Sequence, residues 1–86
     1  MTVYLAWADE PFDPALDSET DGPWRELRRI DDHLLLVESS ETLSRVYHHL
    51  KWTFEAAPTL LVTPVTDTPK SRGLPPGTTT WLRHHT

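Results

Sequence analysis

Residues 39–54 read SSETLSRVYHHLKWTF and form the one long segment with helical periodicity. Ser39 or Ser40 can cap a helix, and Glu41 complements the positive end of the helix dipole. Five apolar residues recur at a spacing that places them on one face: Leu43, Val46, Tyr47, Leu50 and Phe54. The pattern predicts an amphipathic helix over residues 40–54 that packs its apolar face on a sheet.

The segment before this helix predicts a β-hairpin. Residues 33–38 are an apolar run bounded by turn residues, which is typical of a strand. Residues 25–30 can pair with this run across the Asp31-Asp32 turn. The alternative is a short helix that begins near Asp21 and Pro23. We favour the hairpin.

Three further segments are predicted strands. Residues 2–7 alternate β-branched and aromatic side chains, and because both sides are apolar they indicate a central strand covered on both faces. Residues 59–65 form a strand in which Pro64 marks either an edge or the weakening end of the strand. Residues 78–84 alternate threonines with Trp81, which predicts a last strand.

The length and composition favour one small domain. A chain of 86 residues can bury a single hydrophobic core, and without cysteine it has neither disulfides nor thiolate metal sites. The expected fold for residues 1–86 is α+β and ferredoxin-like, with a small, mostly antiparallel sheet and one main helix on one face. The longest apolar runs, 34–37 and 60–62, are too short to cross a bilayer. We therefore expect a soluble cytoplasmic protein with no membrane partner.

Charge is distributed unevenly along the chain. Residues 1–41 hold 11 of the 13 acidic residues but only 3 of the 8 basic ones. Residues 8–23 are acidic and contain prolines, which predicts a loop with at most one helical turn around residues 13–16. Residues 66–77, rich in proline and glycine, predict a surface loop. Because an acidic surface repels phosphates, broad nucleic-acid binding is disfavoured.

The five histidines are weak candidates for metal chemistry. His48 and His49 are adjacent and point about 100° apart on a helix, so they cannot chelate one ion together. The histidines at 84 and 85 lie at the end of the predicted last strand. His33 is expected to form a surface ion pair with the two preceding aspartates. Since phosphate, nucleophile and EF-hand motifs are also absent, no metal and no cofactor is expected.

Trp52 lies on the outer side of the predicted helix. A step of 100° per residue places it opposite Leu43, with Arg45 and His48 beside it. Either the C-terminal segment covers this indole, which is the outcome we favour, or the indole anchors a partner. Tryptophan and arginine dominate the energetics of many interfaces.

The order of elements resembles one family of small proteins. The chain contains, in order, a first strand, a variable segment, a hairpin, a helix, a strand and the late Trp81. This order is similar to that of the ferredoxin-like proteins that include the SinR-like group and the compact CRISPR-associated endoribonucleases of spacer acquisition. The resemblance implies a homodimer with an acid at the end of the first strand, here Asp9. Residues 10–22 are acidic and broken by proline where that family has its first helix. The resemblance therefore supports the fold and the homodimer more than nuclease chemistry.

The sequence thus predicts a non-enzymatic regulatory protein that binds another protein, as a homodimer. The expected contact is either the helix face of Trp52, Arg45 and His48 or an exposed sheet edge such as the last strand with Trp81. One alternative is a magnesium-dependent endoribonuclease dimer that uses Asp9. The other is a nucleic-acid mimic in which acidic residues inhibit a basic partner, such as a phage-defence nuclease.

Overall fold

A computed structural model describes residues 1–19 and 22–85 of the chain. Within these ranges the four strands form one antiparallel sheet in the order β2-β3-β1-β4, accompanied by two α-helices. The elements in chain order are β1 (Thr2–Ala8), a 3₁₀-helix (Pro14–Ser18), β2 (Glu26–Asp31), β3 (Leu34–Ser39), α1 (Leu43–Lys51), β4 (Leu60–Val65) and α2 (Thr78–His85). The protein is therefore a small α+β fold. No helix in the described ranges has the length and apolar character that a membrane span requires.

Strand β1 lies in the middle of the sheet and is covered on both faces, as predicted. Tyr4 and Ala6 pack in one core cluster with α1. Val3 packs in a second cluster with Leu82 of α2. Because successive side chains of a strand point to opposite faces, the two helices lie on opposite sides of the sheet.

The predicted hairpin between β2 and β3 is confirmed. The single helical turn expected near residues 13–16 is the 3₁₀-helix, and Asp13 caps it by accepting a hydrogen bond from the Ala15 N–H (2.9 Å). Arg29 of β2 donates from Nε to both carboxylate oxygens of Asp17 (2.9 and 3.0 Å), and this hydrogen bond raises the pKa of Arg29. The 3₁₀-helix is thereby fixed to the sheet. Asp21, where the alternative short helix would begin, lies outside the described residues.

Helix α1 is shorter than the predicted helix over residues 40–54. Thr42 is its N-cap and accepts a hydrogen bond from the Arg45 N–H (3.2 Å). Ser39, one of the expected caps, instead ends β3, where it is buried and donates its hydroxyl hydrogen to the Pro23 carbonyl. β3 thus includes Ser39, which the pattern assigned to the cap of the helix.

The buried stripe of α1 is also narrower than predicted. Val46 and Leu50 are fully buried, but Leu43 is exposed. Phe54 lies beyond the end of the helix and packs on Phe12, with ring centroids 5.4 Å apart. The helix therefore keeps most of its surface outside the core.

The predicted last strand over residues 78–84 is wrong, because Thr78–His85 forms the helix α2. Gly77 has a positive φ of 86°, which turns the chain into the helix. Arg28 of β2 donates to the Thr78 hydroxyl (3.0 Å) and to the Pro76 carbonyl (2.8 Å), so the sheet holds the first turn in place. Trp81 is accordingly a helix residue, and the fold has two helices where one was expected.

Replacing Leu82 with alanine tests whether α2 packs on the sheet. Leu82 is 1% exposed, and its truncation leaves a cavity. We expect the free energy of unfolding to fall by about 2–5 kcal/mol in urea denaturation. The exposed Leu43 of α1 provides the matched control, since Leu43→Ala should cost less than about 1 kcal/mol. Equal effects of the two substitutions would contradict the packing of α2.

Candidate interaction site

The outer side of α1 brings together three of the four residues that the sequence identifies as partner-binding. Trp52, the C-cap residue of α1, is 76% exposed. His48 lies one turn earlier and stacks on the indole, with ring centroids 5.8 Å and planes 29° apart. Arg45 lies about one turn before His48, on the same side of the helix, and is also exposed. These three residues together with Lys51 are named the Trp52 face.

The C-terminal segment does not cover Trp52. Helix α2 packs in the core cluster of Val3 and Leu36, on the opposite side of the sheet from α1. The favoured expectation of intramolecular cover is therefore wrong. The physical reason is that Leu82 buries its side chain on the second face of the sheet, which would otherwise be open to water.

Two grooves flank Trp52. The larger, of about 560 Å³, extends toward Gly22 and His49. The smaller, of about 420 Å³, extends toward Tyr47 and Pro58. Because Trp52 lines both grooves, its indole forms the ridge between them. A partner that binds here can fill a groove and cover the indole at the same time.

The wall of the larger groove is preformed. His49 Nε2 lies 2.7 Å from the Glu19 carboxylate, and its ring meets Trp24 edge-on at 5.0 Å. Trp24 is buried, and its indole N–H finds no acceptor among the described residues. A Cβ at Gly22 would lie 3.0 Å from the Trp24 ring. The close approach of the chain to this ring therefore favours glycine at position 22.

The Trp52 face is positively charged on a chain whose net charge is -5. Arg45 Nε lies 3.9 Å from the Glu41 carboxylate, which is too far for a hydrogen bond. Lys51 has no ion pair within residues 1–19 and 22–85. The face therefore presents the cations Arg45 and Lys51, and Glu41 and Glu55 line the grooves beside them.

Trp81, the fourth residue predicted to bind a partner, lies apart from the Trp52 face. Its indole N–H donates to Glu26 Oε2 (2.7 Å) on the α2 side of the sheet. His85 and Glu38 lie next to this pair. Sequence reasoning missed this cluster, because recognising it requires the helical form of residues 78–85 and the register of β2 and β3.

Two other residues singled out by the sequence have structural contacts. The His33 ring donates from Nδ1 to the Ala8 carbonyl (3.0 Å), so the ion pair expected with the preceding aspartates does not form. Asp9 accepts a hydrogen bond from the Thr59 N–H (2.9 Å) and fixes the start of β4. Asp9 remains exposed, at the end of β1.

An exposed apolar patch also lies on the α2 side of the sheet. Trp7 and Leu61 are direct neighbours across β1 and β4, and they are 39% and 56% exposed. These two residues are named the Trp7–Leu61 patch. β4 is an edge strand of the sheet, as Pro64 suggested, whereas the expected last-strand edge does not exist.

Comparison with known proteins assigns no family to the chain. No protein-family model, no curated protein and no solved structure matches it. The resemblance to the ferredoxin-like endoribonuclease family stays a prediction.

Replacing Trp52 with phenylalanine tests the exposure of its indole. We expect acrylamide quenching of tryptophan fluorescence to fall, because the most accessible of the four indoles is removed. The free energy of unfolding should change by less than about 0.5 kcal/mol. Trp24→Phe is the matched control and should leave quenching unchanged while lowering stability. Undiminished quenching in Trp52→Phe would show that the indole is covered in solution.

Proposed function

We propose that this protein is a small non-enzymatic binding protein that recognises an acidic segment of another protein through the Trp52 face. The observation that carries the proposal is the 76% exposure of Trp52 between two grooves. Tryptophan and arginine supply much of the binding energy of protein interfaces when a partner buries them. Both are present on this face, as Trp52 and Arg45, about two turns apart along α1.

The charge of the face favours an acidic partner. Lys51 has no ion pair within the described part of the chain, and Arg45 has only the exposed contact with Glu41 at 3.9 Å. An acidic segment would gain electrostatic attraction on approach and would pair with these cations when bound. The stacking of His48 on Trp52 limits the motion of the indole, so less side-chain entropy is lost on binding.

Peptide selection on the immobilised full chain tests the proposed partner chemistry. We expect selected peptides to be rich in aspartate and glutamate around an apolar residue, and their affinity to fall as salt rises. Trp52→Ala and Arg45→Ala should each weaken binding of a selected peptide at least about tenfold, since both remove anchors. Trp7→Ala, an exposed tryptophan on the other side of the sheet, is the matched control and should bind as the wild type does.

Two outcomes would contradict the proposed partner. Peptides without acidic residues, or equal affinity for Trp52→Ala and the wild type, would remove the Trp52 face as an acid-binding surface. Because an exposed indole with nearby cations also stacks on unpaired bases, a single-stranded oligonucleotide is the necessary comparison. Binding of the oligonucleotide that Trp52→Ala abolishes, without peptide binding, would replace the protein partner with nucleic acid.

We further propose that two copies of the chain associate through the Trp7–Leu61 patch. The patch adjoins the edge strand β4, and a surface of this kind can meet its own copy around a two-fold axis. Pro64 removes one N–H from β4 and weakens edge-to-edge pairing. Packing of the apolar faces is therefore the favoured contact.

Sedimentation equilibrium of Leu61→Lys tests this association. We expect the wild type to be a dimer and Leu61→Lys to be a monomer, because the lysine would place like charges against each other across the two-fold axis. Arg45→Ala changes the opposite side of the molecule and should remain a dimer. A monomeric wild type at concentrations of tens of micromolar would contradict the proposal, as would a dimeric Leu61→Lys.

The ferredoxin-like fold is part of the same proposal. It is supported by the β2–β3 hairpin placed between β1 and the α1–β4 unit. A 3₁₀-helix takes the position of the first helix of that fold, and α2 is an addition to it.

The two alternative functions depend on other residues. A nuclease dimer would use the exposed Asp9. Nucleic-acid mimicry is less favoured, because Asp17 is paired with Arg29 and Glu19 with His49.

A further inference from the structure

Three side chains converge on the face of the sheet that α2 covers: Glu26, Glu38 and His85. Glu26 and Glu38 are direct cross-strand neighbours of β2 and β3, and His85 reaches them from the last turn of α2. His85 Nε2 lies 3.2 Å from Glu38 Oε2 and 3.8 Å from Glu26 Oε1. All three candidate ligand atoms lie within 4.8 Å of one another.

The Glu38 carboxylate is buried beside a second carboxylate. Its side chain is 10% exposed, and within the described ranges it has no side-chain partner other than His85. Two carboxylates opposite each other on one face of a sheet repel, and a buried carboxylate requires a paired positive charge. The two carboxylates and the imidazole therefore form a place where a cation can be bound.

The hydrogen bond of His85 leaves its Nε2 available as a ligand. Nδ1 lies 2.6 Å from the Trp81 carbonyl oxygen. Because a carbonyl oxygen only accepts, Nδ1 carries the hydrogen. In the neutral ring the lone pair is then on Nε2, which faces the two carboxylates. A metal-bound imidazole usually donates the hydrogen of its other nitrogen in this way.

Trp81 orients the other parts of the cluster. Its indole N–H donates to Glu26 Oε2 (2.7 Å), which leaves Oε1 facing His85. The indole ring also stacks on the His85 ring, with centroids 4.3 Å and planes 22° apart. Supporting hydrogen bonds of this kind typically change metal affinity by about 10–100-fold.

We propose that Glu26, Glu38 and His85 bind one divalent metal ion of the zinc class. One imidazole nitrogen and two carboxylate oxygens suit Zn²⁺, whereas Mg²⁺ and Ca²⁺ prefer ligand sets made only of oxygen. With Zn²⁺ bonds of about 2.0–2.2 Å, the ligand atoms of a tetrahedral site lie about 3.3–3.6 Å apart. Binding in this geometry would require the half-exposed Glu26 side chain to rotate, so that its carboxylate moves closer to His85 than the present 3.8 Å. The fourth position stays open to water.

The ion ties the last turn of α2 to β2 and β3, so its binding stabilises the folded chain. This site differs from the sequence-based expectation of no metal. That expectation assumed a strand over residues 78–84, which would have left the terminal histidines without partners on the sheet.

Calorimetric titration of the full chain with Zn²⁺ at pH 7 tests the proposal. We expect one ion per chain and a rise in Tm of about 10–20 °C when free Zn²⁺ is 100 times Kd. Glu38→Gln and His85→Gln each remove a ligand and should weaken binding at least about tenfold. His84→Gln, at the exposed neighbouring position, is the matched control and should bind as the wild type does.

Two further measurements keep the test decisive if Glu38→Gln does not fold. Trp81→Phe retains the stacked ring but loses the indole N–H, and it should weaken Zn²⁺ binding about tenfold. The ¹⁵N resonance of His85 Nε2 should shift on addition of Zn²⁺. Unchanged Zn²⁺ affinity in His85→Gln would overturn the proposal, as would a Tm that does not respond to Zn²⁺. Tighter binding of Ca²⁺ or Mg²⁺ than of Zn²⁺ would overturn the proposed metal class.

Discussion

Strand β1 must be covered on both of its faces, and the rest of the structure depends on that constraint. Val3 and Tyr4 are neighbours in the chain, point to opposite faces and are both buried. A chain of 86 residues has only short segments with which to build two covering layers. Each helix therefore buries few side chains: Val46 and Leu50 in α1, and Thr78 and Leu82 in α2.

Short covering helices leave polar and aromatic side chains free for other contacts. α1 buries a narrow stripe against the sheet, so Trp52 and its neighbours on the outer side meet solvent. α2 covers only part of the second face, so Trp7 and Leu61 stay exposed beyond its end. At its other end, α2 places His85 against the carboxylates of the sheet. The three surfaces discussed above are thus consequences of how little each helix can cover.

Local patterns were sufficient to predict much of the fold. The alternation in β1, the hairpin and the amphipathic face of α1 are each visible in a few consecutive residues. The boundaries of α1 were wrong because Ser39 satisfies a hydrogen bond with Pro23 that no local pattern reveals. α2 was taken for a strand because Thr78 to Thr80 are β-branched, and packing of Leu82 on the sheet outweighs that preference.

The candidate sites differ in the same way: residues from one element could be placed from the sequence, and residues from several elements could not. Trp52, Arg45 and His48 come from one helix, so a helical projection was enough to place them on one side. The exposure of Trp52 was not predictable, since it depends on where the C-terminal segment packs. Glu26, Glu38 and His85 come from three elements, and their meeting depends on strand register and on the direction of α2.

The end of β3 contacts both of the layers that cover the sheet, the α1 layer and the α2 layer. Because side chains alternate along a strand, Glu38 points toward α2 and Ser39 toward α1. The Ser39 hydroxyl donates to the Pro23 carbonyl and accepts from the Glu41 N–H (2.9 Å), while the Tyr4 hydroxyl donates to the Glu41 carbonyl (2.9 Å). Pro23 and Glu41 both line the groove beside Trp52. The wall of that groove is therefore anchored one residue away from the buried carboxylate of the proposed metal site, although the two sites lie on opposite sides of the sheet.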